Sequence, residues 1–208
     1  MDARPGESDT PPDTTADPQR ARLLVLLSGS GRTLDNLIAR CADDTLPADI
    51  AAVIANRDCR GLAIAREHAI PAEHIPGGPN AETLDTLVTE LKIDWVVLAG
   101  YLRLVPITER TRGRIINIHP ALLPAFGGSG MHGHKVHAAA IEAANRGEIA
   151  ESGCTVHFAD EQYDTGQVIL QRRCPVYPTD SPGDLAARVF DLELEAYPEA
   201  LRRLITHA

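Results

Sequence analysis

The stretch LLVLLSGSGRTL, residues 23–34, decides the fold. Its apolar run, Leu23 to Leu27, reads as a strand buried on both faces, the mark of a parallel sheet. The run stops in SGSGRT (28–33), after which Leu34, Leu37, Ile38 and Cys41 fall at helical spacing. Strand, glycine turn and helix in that order open a doubly wound α/β sheet. Glycines at such a turn bring backbone N–H groups and the positive helix end towards an anion. The turn lacks the third glycine of a dinucleotide fingerprint, because Leu34 stands there, and it has no lysine of a Walker loop. A small phosphate ester near Gly31, Arg32 and Thr33 suits it better than a dinucleotide. A tight turn with no ligand is the alternative.

The rest of the chain extends the pattern. A second strand around Ile50–Ala55 ends in Asn56, where a nicotinamide site would need an acidic residue for the ribose. A short helix over Leu62–His68 and a brief strand near Glu73–Ile75 follow. GGPN (77–80) opens a helix carrying Leu84, Leu87, Val88 and Leu91, and Trp95–Ala99 is the next buried strand, running into GYLRLVP (100–106). Further on, Cys154–Phe158 and Val168–Leu170 read as an antiparallel pair joined by ADEQYDTG (159–166). Ser181-Pro182-Gly183-Asp184 starts a capped final helix bearing Leu185, Val189, Leu192 and Ala196, which Tyr197-Pro198 is predicted to kink. Residues 21–208 form one domain. Residues 1–20, rich in Pro, Asp and Thr, read as a disordered leader.

The chemistry points to GRIINIHPALLP (113–124). Ile115 and Ile116 form a strand that delivers Asn117 and His119, two apart and so on one face, before turns at Pro120 and Pro124. Asp164, in the YDTG loop, is the carboxylate to pair with His119. The loop holds more acidic groups (Asp160, Glu161, Asp164) than a turn needs, and Gly166 permits close backbone approach. Such pairing raises the imidazole above its ordinary pKa of about 6.5 and equips it to donate a proton. A structurally bonded histidine and a solvated turn aspartate are the plain alternatives. His132, His134 and His137 space as H-x-H-x-x-H, yet no cysteine pair or carboxylate accompanies them, so no metal is expected. His157 alternates with apolar neighbours, which implies a core or supporting role.

Bulk properties narrow the partners. The chain has 208 residues, 44% of them apolar, which suits a single full core. Its net charge of −9 argues against nucleic acid, and no apolar run approaches a membrane span. Cys41, Cys59, Cys154 and Cys174 lack C-x-x-C spacing and read as the reduced thiols of a cytoplasmic protein.

Taken in order, LLSGSGRTL, VVLAGYLRLV, NIHPALLP, SGCTVHFADEQYDTGQVILQ and LELEAYP resemble the folate-dependent phosphoribosylglycinamide formyltransferase family over residues 21–205. The resemblance implies a mostly parallel seven-stranded sheet with helices on both faces, a Rossmann-like N-terminal half and an antiparallel strand pair in the C-terminal half. It implies 10-formyltetrahydrofolate as co-substrate and formyl donor, the amine of glycinamide ribonucleotide as acceptor, and no metal. Asn117, His119 and Asp164 would then be the catalytic trio, and Gly31, Arg32 and Thr33 would hold the substrate phosphate. Leu102, Arg103, Leu104 and Val105 would meet folate through their backbone beside Asn117, and Glu193 would meet the substrate amine or ribose. The expected setting is the cytoplasm, with small-molecule partners, no nucleic acid, no membrane, and a monomer or homodimer. The chain departs from many relatives at Thr33 (often Asn), at Ala81 (often a basic residue near the folate tail) and at Leu194 (often His). Rival readings are a formyltetrahydrofolate hydrolase and a non-catalytic binder of phosphate metabolites on the same fold. A methionyl-tRNA formyltransferase would need a further nucleic-acid-binding domain.

Overall fold

The computed structural model describes residues 20–207. The expected disordered leader therefore lies outside the described residues, Arg20 excepted. That guanidinium donates to Asp49 and to the carbonyls of Cys41 and Ala48, bracing the connection between the first helix and second strand.

Seven strands and five helices follow in the order β1 (Ala21–Leu27), α1 (Arg32–Ala42), β2 (Ala48–Ala55), α2 (Arg60–Glu67), β3 (Ala72–His74), α3 (Ala81–Glu90), β4 (Trp95–Leu98), β5 (Ile115–His119), α4 (His134–Asn145), β6 (Glu151–Phe158), β7 (Val168–Pro175) and α5 (Pro182–Thr206). They form one sheet ordered β3-β2-β1-β4-β5-β6-β7. Strands β1 to β5 run parallel, and β6 is antiparallel to both β5 and β7. The chain reverses its direction of travel across the sheet between β1 and β4, the switch point at which open α/β sheets bind ligands.

Side-chain alternation divides the core in two. Leu23, Val25 and Leu27 face one way, with Leu34 of α1, Leu62 of α2, Ala140 of α4 and Val189 of α5. Leu24 and Leu26 face the other way, against Leu84 and Val88 of α3. Ile116, Cys154 and Val156 belong to the first, four-helix side. Asn117, His119, Thr155 and His157 must then stand on the opposite face, as period-two geometry requires. Register brings them together, because Asn117 pairs with His157 and His119 with Thr155. Helix α3 covers mainly the β1–β2–β4 half of that face, and the segments 120–133 and 159–166 fold over the β5–β6 half.

Two local features go beyond what the sequence pattern predicts. The final helix continues through Pro198 to Thr206. Proline supplies no N–H for the carbonyl of Leu194 one turn earlier, and Asn36 of α1 donates its side-chain amide to that oxygen at 2.8 Å instead. Strands β6 and β7 also extend beyond their apolar runs, pairing out to Glu151 and Pro175. Gly153 makes this possible, since a Cβ there would lie 1.9 Å from the Arg172 carbonyl oxygen.

Candidate active site

A cavity of about 660 Å³ opens at the C-terminal ends of β1, β4 and β5, lined by residues of the glycine turn, of the loops that follow β4 and β5, and of α5. The glycine turn forms one end. Gly31 caps α1 in the left-handed conformation, φ +79, and a Cβ there would sit 2.7 Å from the Cα of Gly61. Only glycine meets both demands. As the cap has no side chain, the first-turn amides of α1 are claimed by no capping group. The turn is fixed from behind: Gly61 N–H donates to the Gly29 carbonyl at 3.1 Å, Arg57 donates to the Ser28 carbonyl, and the Ser28 hydroxyl accepts from Leu102 N–H at 3.0 Å.

Arg32 and Thr33 line the same end. The Arg32 guanidinium rests 3.8 Å from the ring centroid of Phe190 on α5, a cation–π contact. Glu193, one turn further along α5, also lines the cavity, and burial pushes its carboxyl up to about 8, with Arg32 pulling in the opposite direction.

Four polar side chains meet at the centre. His157 donates through Nδ1 to the Phe158 carbonyl at 2.8 Å, so its Nε2 is free to accept from the Asn117 amide nitrogen at 3.1 Å. The second N–H of Asn117 points at Asp164 Oδ1, 3.5 Å away. Rotating the Asn117 amide by half a turn would place two oxygens there instead, which fixes its orientation. His119 donates through Nε2 to the Phe126 carbonyl at 2.8 Å, and its Nδ1 lies 3.4 Å from Asp164 Oδ2. Asp164 also accepts the Gly128 N–H at 2.9 Å. Its backbone holds φ +59, a left-handed conformation that aspartate tolerates better than most residues. Gly166 closes that loop, since a Cβ there would lie 1.8 Å from the Phe158 carbonyl oxygen.

The electrostatics differ from expectation in one respect. Burial pushes the His119 pKa below its ordinary value, and the Asp164 carboxylate with the Phe126 carbonyl only partly counters it. Side-chain exposure of 4% explains why desolvation outweighs a carboxylate 3.4 Å away. Burial also pushes Asp164 up, but the His119 ring and the Gly128 amide pull the other way, and the carboxyl is held below the usual range. Asp164 is thus a carboxylate at neutral pH, and only the protonated ring of His119 can donate from both nitrogens to the acceptors they face.

The cavity wall includes Gly31, Arg32, Thr33, Leu102, Asn117, His119, Asp164 and Glu193. Arg103 and Leu104 are exposed outside that lining, and the Val105 side chain is buried in the α3-side core. His132, His134 and His137 line the wall as well. Among the described residues no group of three or more His, Cys, Asp or Glu is arranged to hold a metal ion, and no helix is long and apolar enough to cross a membrane. Sequence reasoning did not single out the Phe126 carbonyl or the Gly128 amide. The glycine-rich composition of 127–133 was the available signal, since it lets the backbone approach a carboxylate.

Residues 21–201 match the Formyl transferase family model. The chain belongs to the formyl transferase family. Among its relatives in that family, the chloroplastic phosphoribosylglycinamide formyltransferase of Arabidopsis thaliana is 37% identical over 89% of this chain and 65% of its own length. The phosphoribosylglycinamide formyltransferase of Haemophilus influenzae is 35% identical over 87% of this chain and 85% of its own. The crystal structure of glycinamide ribonucleotide transformylase 1 from Symbiobacterium toebii superposes with a TM-score of 0.77 at 35% identity, covering 91% of this chain and 89% of that one. The chain thus spans just under two thirds of the chloroplastic relative's length.

Proposed function

We propose that this formyltransferase moves the formyl group of 10-formyltetrahydrofolate to the amine of glycinamide ribonucleotide, giving formylglycinamide ribonucleotide in purine biosynthesis. The observation that carries the reading is the contact of Asn117, His119 and Asp164 in the wall of a cavity whose other end is an uncapped helix N-terminus. A phosphate at Gly31, Arg32 and Thr33 and a reacting carbon near Asn117 would place one nucleotide along that cavity. The names of the relatives in the family point to the same substrates.

In this mechanism the amine lone pair forms a bond to the formyl carbon, and the carbonyl π electrons move onto oxygen. Asn117 and protonated His119 stabilise that oxyanion as donors, His119 by turning its Nε2–H from the Phe126 carbonyl to the new acceptor. Asn117 gives up its long 3.5 Å contact with Asp164 more readily than its 3.1 Å bond to His157. The carbonyl then re-forms, the bond from carbon to the folate nitrogen breaks, and a proton passes from the amine side to the departing nitrogen through His119 or water. Asp164 holds the imidazolium in place. Glu193 meets the substrate amine or ribose, and the backbone of Leu102 to Val105 borders the folate. The reaction needs no metal and no nucleic acid, and it suits a cytoplasmic monomer or homodimer.

Steady-state turnover with 10-formyltetrahydrofolate, with and without glycinamide ribonucleotide, tests the proposal. Acceptor-dependent loss of the formyl group is the expected result. Formate release without acceptor would instead make the protein a hydrolase, and tight binding without turnover would make it a binder.

A further inference from the structure

His137 is a buried polar group for which the mechanism above has no use. It stands early in α4, is 5% exposed and lines the cavity. Its Nδ1 is sealed from solvent and, among the described residues, meets no hydrogen-bond partner. A neutral imidazole carries one N–H and one lone pair, and orphaned buried donors are rarer than under-used acceptors. The proton therefore belongs on Nε2, and the ring's remaining exposure is to the cavity.

Burial lowers the pKa of this ring, and the neighbouring His134 and His119 rings lower it further. The positive end of α4 adds to the effect. His119 has the opposite setting, with Asp164 at 3.4 Å. The cavity wall thus combines one imidazole beside an anion with another that stays neutral near a helix N-terminus, where an uncharged ring acts as a hydrogen-bond donor.

We propose that His137 positions substrate, its Nε2–H giving one hydrogen bond to an uncharged carbonyl or hydroxyl oxygen of the bound nucleotide or the bound folate. The identity of the substrates rests on the formyl-transfer reading; the tautomer does not.

Long-range ¹H–¹⁵N spectra of the full, ligand-free chain labelled at histidine test the tautomer, with His137 assigned by the resonances lost in His137→Leu. The neutral Nε2–H form is expected at pH 7, and a neutral Nδ1–H form or an imidazolium overturns the proposal. In turnover, His137→Leu is expected to raise the KM of one substrate about five- to tenfold with kcat within about twofold. The substrate whose KM moves is the one His137 touches. His137→Gln, whose amide nitrogen reaches the Nε2 position, should restore most of the loss. An unchanged KM, equal damage in both variants, or a fall in kcat with an altered pH profile would each overturn the positioning role. If the wild-type protein passes no formyl group to the nucleotide, the functional reading fails by itself. The tautomer and the folate Kd of His137→Leu against wild type then decide this inference.

Discussion

Replacing Asp164 by asparagine keeps the shape of the side chain and removes its charge. The new amide oxygen can still accept the Gly128 N–H, held at 2.9 Å in the native chain, and asparagine tolerates φ +59 at least as well as aspartate. The fold should therefore survive. The loss falls on His119. At an effective dielectric near 20, unit charges 3.4 Å apart attract by about 5 kcal/mol. Desolvation already lowers the imidazolium's pKa and offsets part of that attraction, and breaking a buried pair leaves a net loss of about 3 kcal/mol. A barrier higher by about 3 kcal/mol slows turnover by about 100-fold. The sign of the pH effect follows. Without the carboxylate His119 loses its proton at lower pH, so the limb on which kcat falls with rising pH should move to lower pH. The assay is formyl transfer under saturating substrates from pH 4.5 to 8, with urea unfolding as the check on folding. A folded Asp164→Asn protein whose kcat stays within threefold of wild type, on an unmoved profile, would refute the charge argument.

Other predictions follow from single contacts. Glu193 is raised from 4.5 to about 8 in the fold, so the stability it contributes is full below pH 4.5 and is lost as pH rises towards 8. Glu193→Gln should therefore gain thermal stability over wild type at pH 8 and little at pH 4, by Tm in matched buffers; a larger gain at pH 4 would contradict this. Gly31→Ala meets both a positive φ and a backbone 2.7 Å away, and should cost about 1–3 kcal/mol in urea unfolding. Tyr197, fully buried, sends its hydroxyl to the carbonyls of Leu98 and Ile116 at 3.1 and 2.8 Å. Tyr197→Phe should cost about 1 kcal/mol through loss of a buried hydrogen bond, and an unchanged urea midpoint would show that the bond is idle.

The parts of this molecule that could be read in the chain are those governed by short-range pattern. Leu23 to Leu27 is apolar on both alternations because both faces of β1 are covered, and the glycine turn after it needs a conformation that glycine adopts most readily. Asn117 and His119 could be placed on one face from their spacing, and His157 in a supporting role from its alternation with apolar neighbours. What was hidden depended on distant partners. Pro198 gives no hint that Asn36, on another helix, takes over its hydrogen-bonding duty. Polar residues at the ends of β6 and β7 conceal strand that only the pairing of the two reveals. The direction of the His119 shift turned on depth of burial, which residue type cannot supply, so the carboxylate alone pointed the wrong way.

The mounting of the central cluster bears on how this scaffold could be re-engineered. Asn117, His119 and His157 are fixed to a β-ladder, whereas Asp164 and the segment carrying Phe126 and Gly128 arrive on connections that only cross it. A designer seeking a different acceptor should leave the ladder alone and rewrite those crossings, preserving the one amide-to-carboxylate clasp that ties them together.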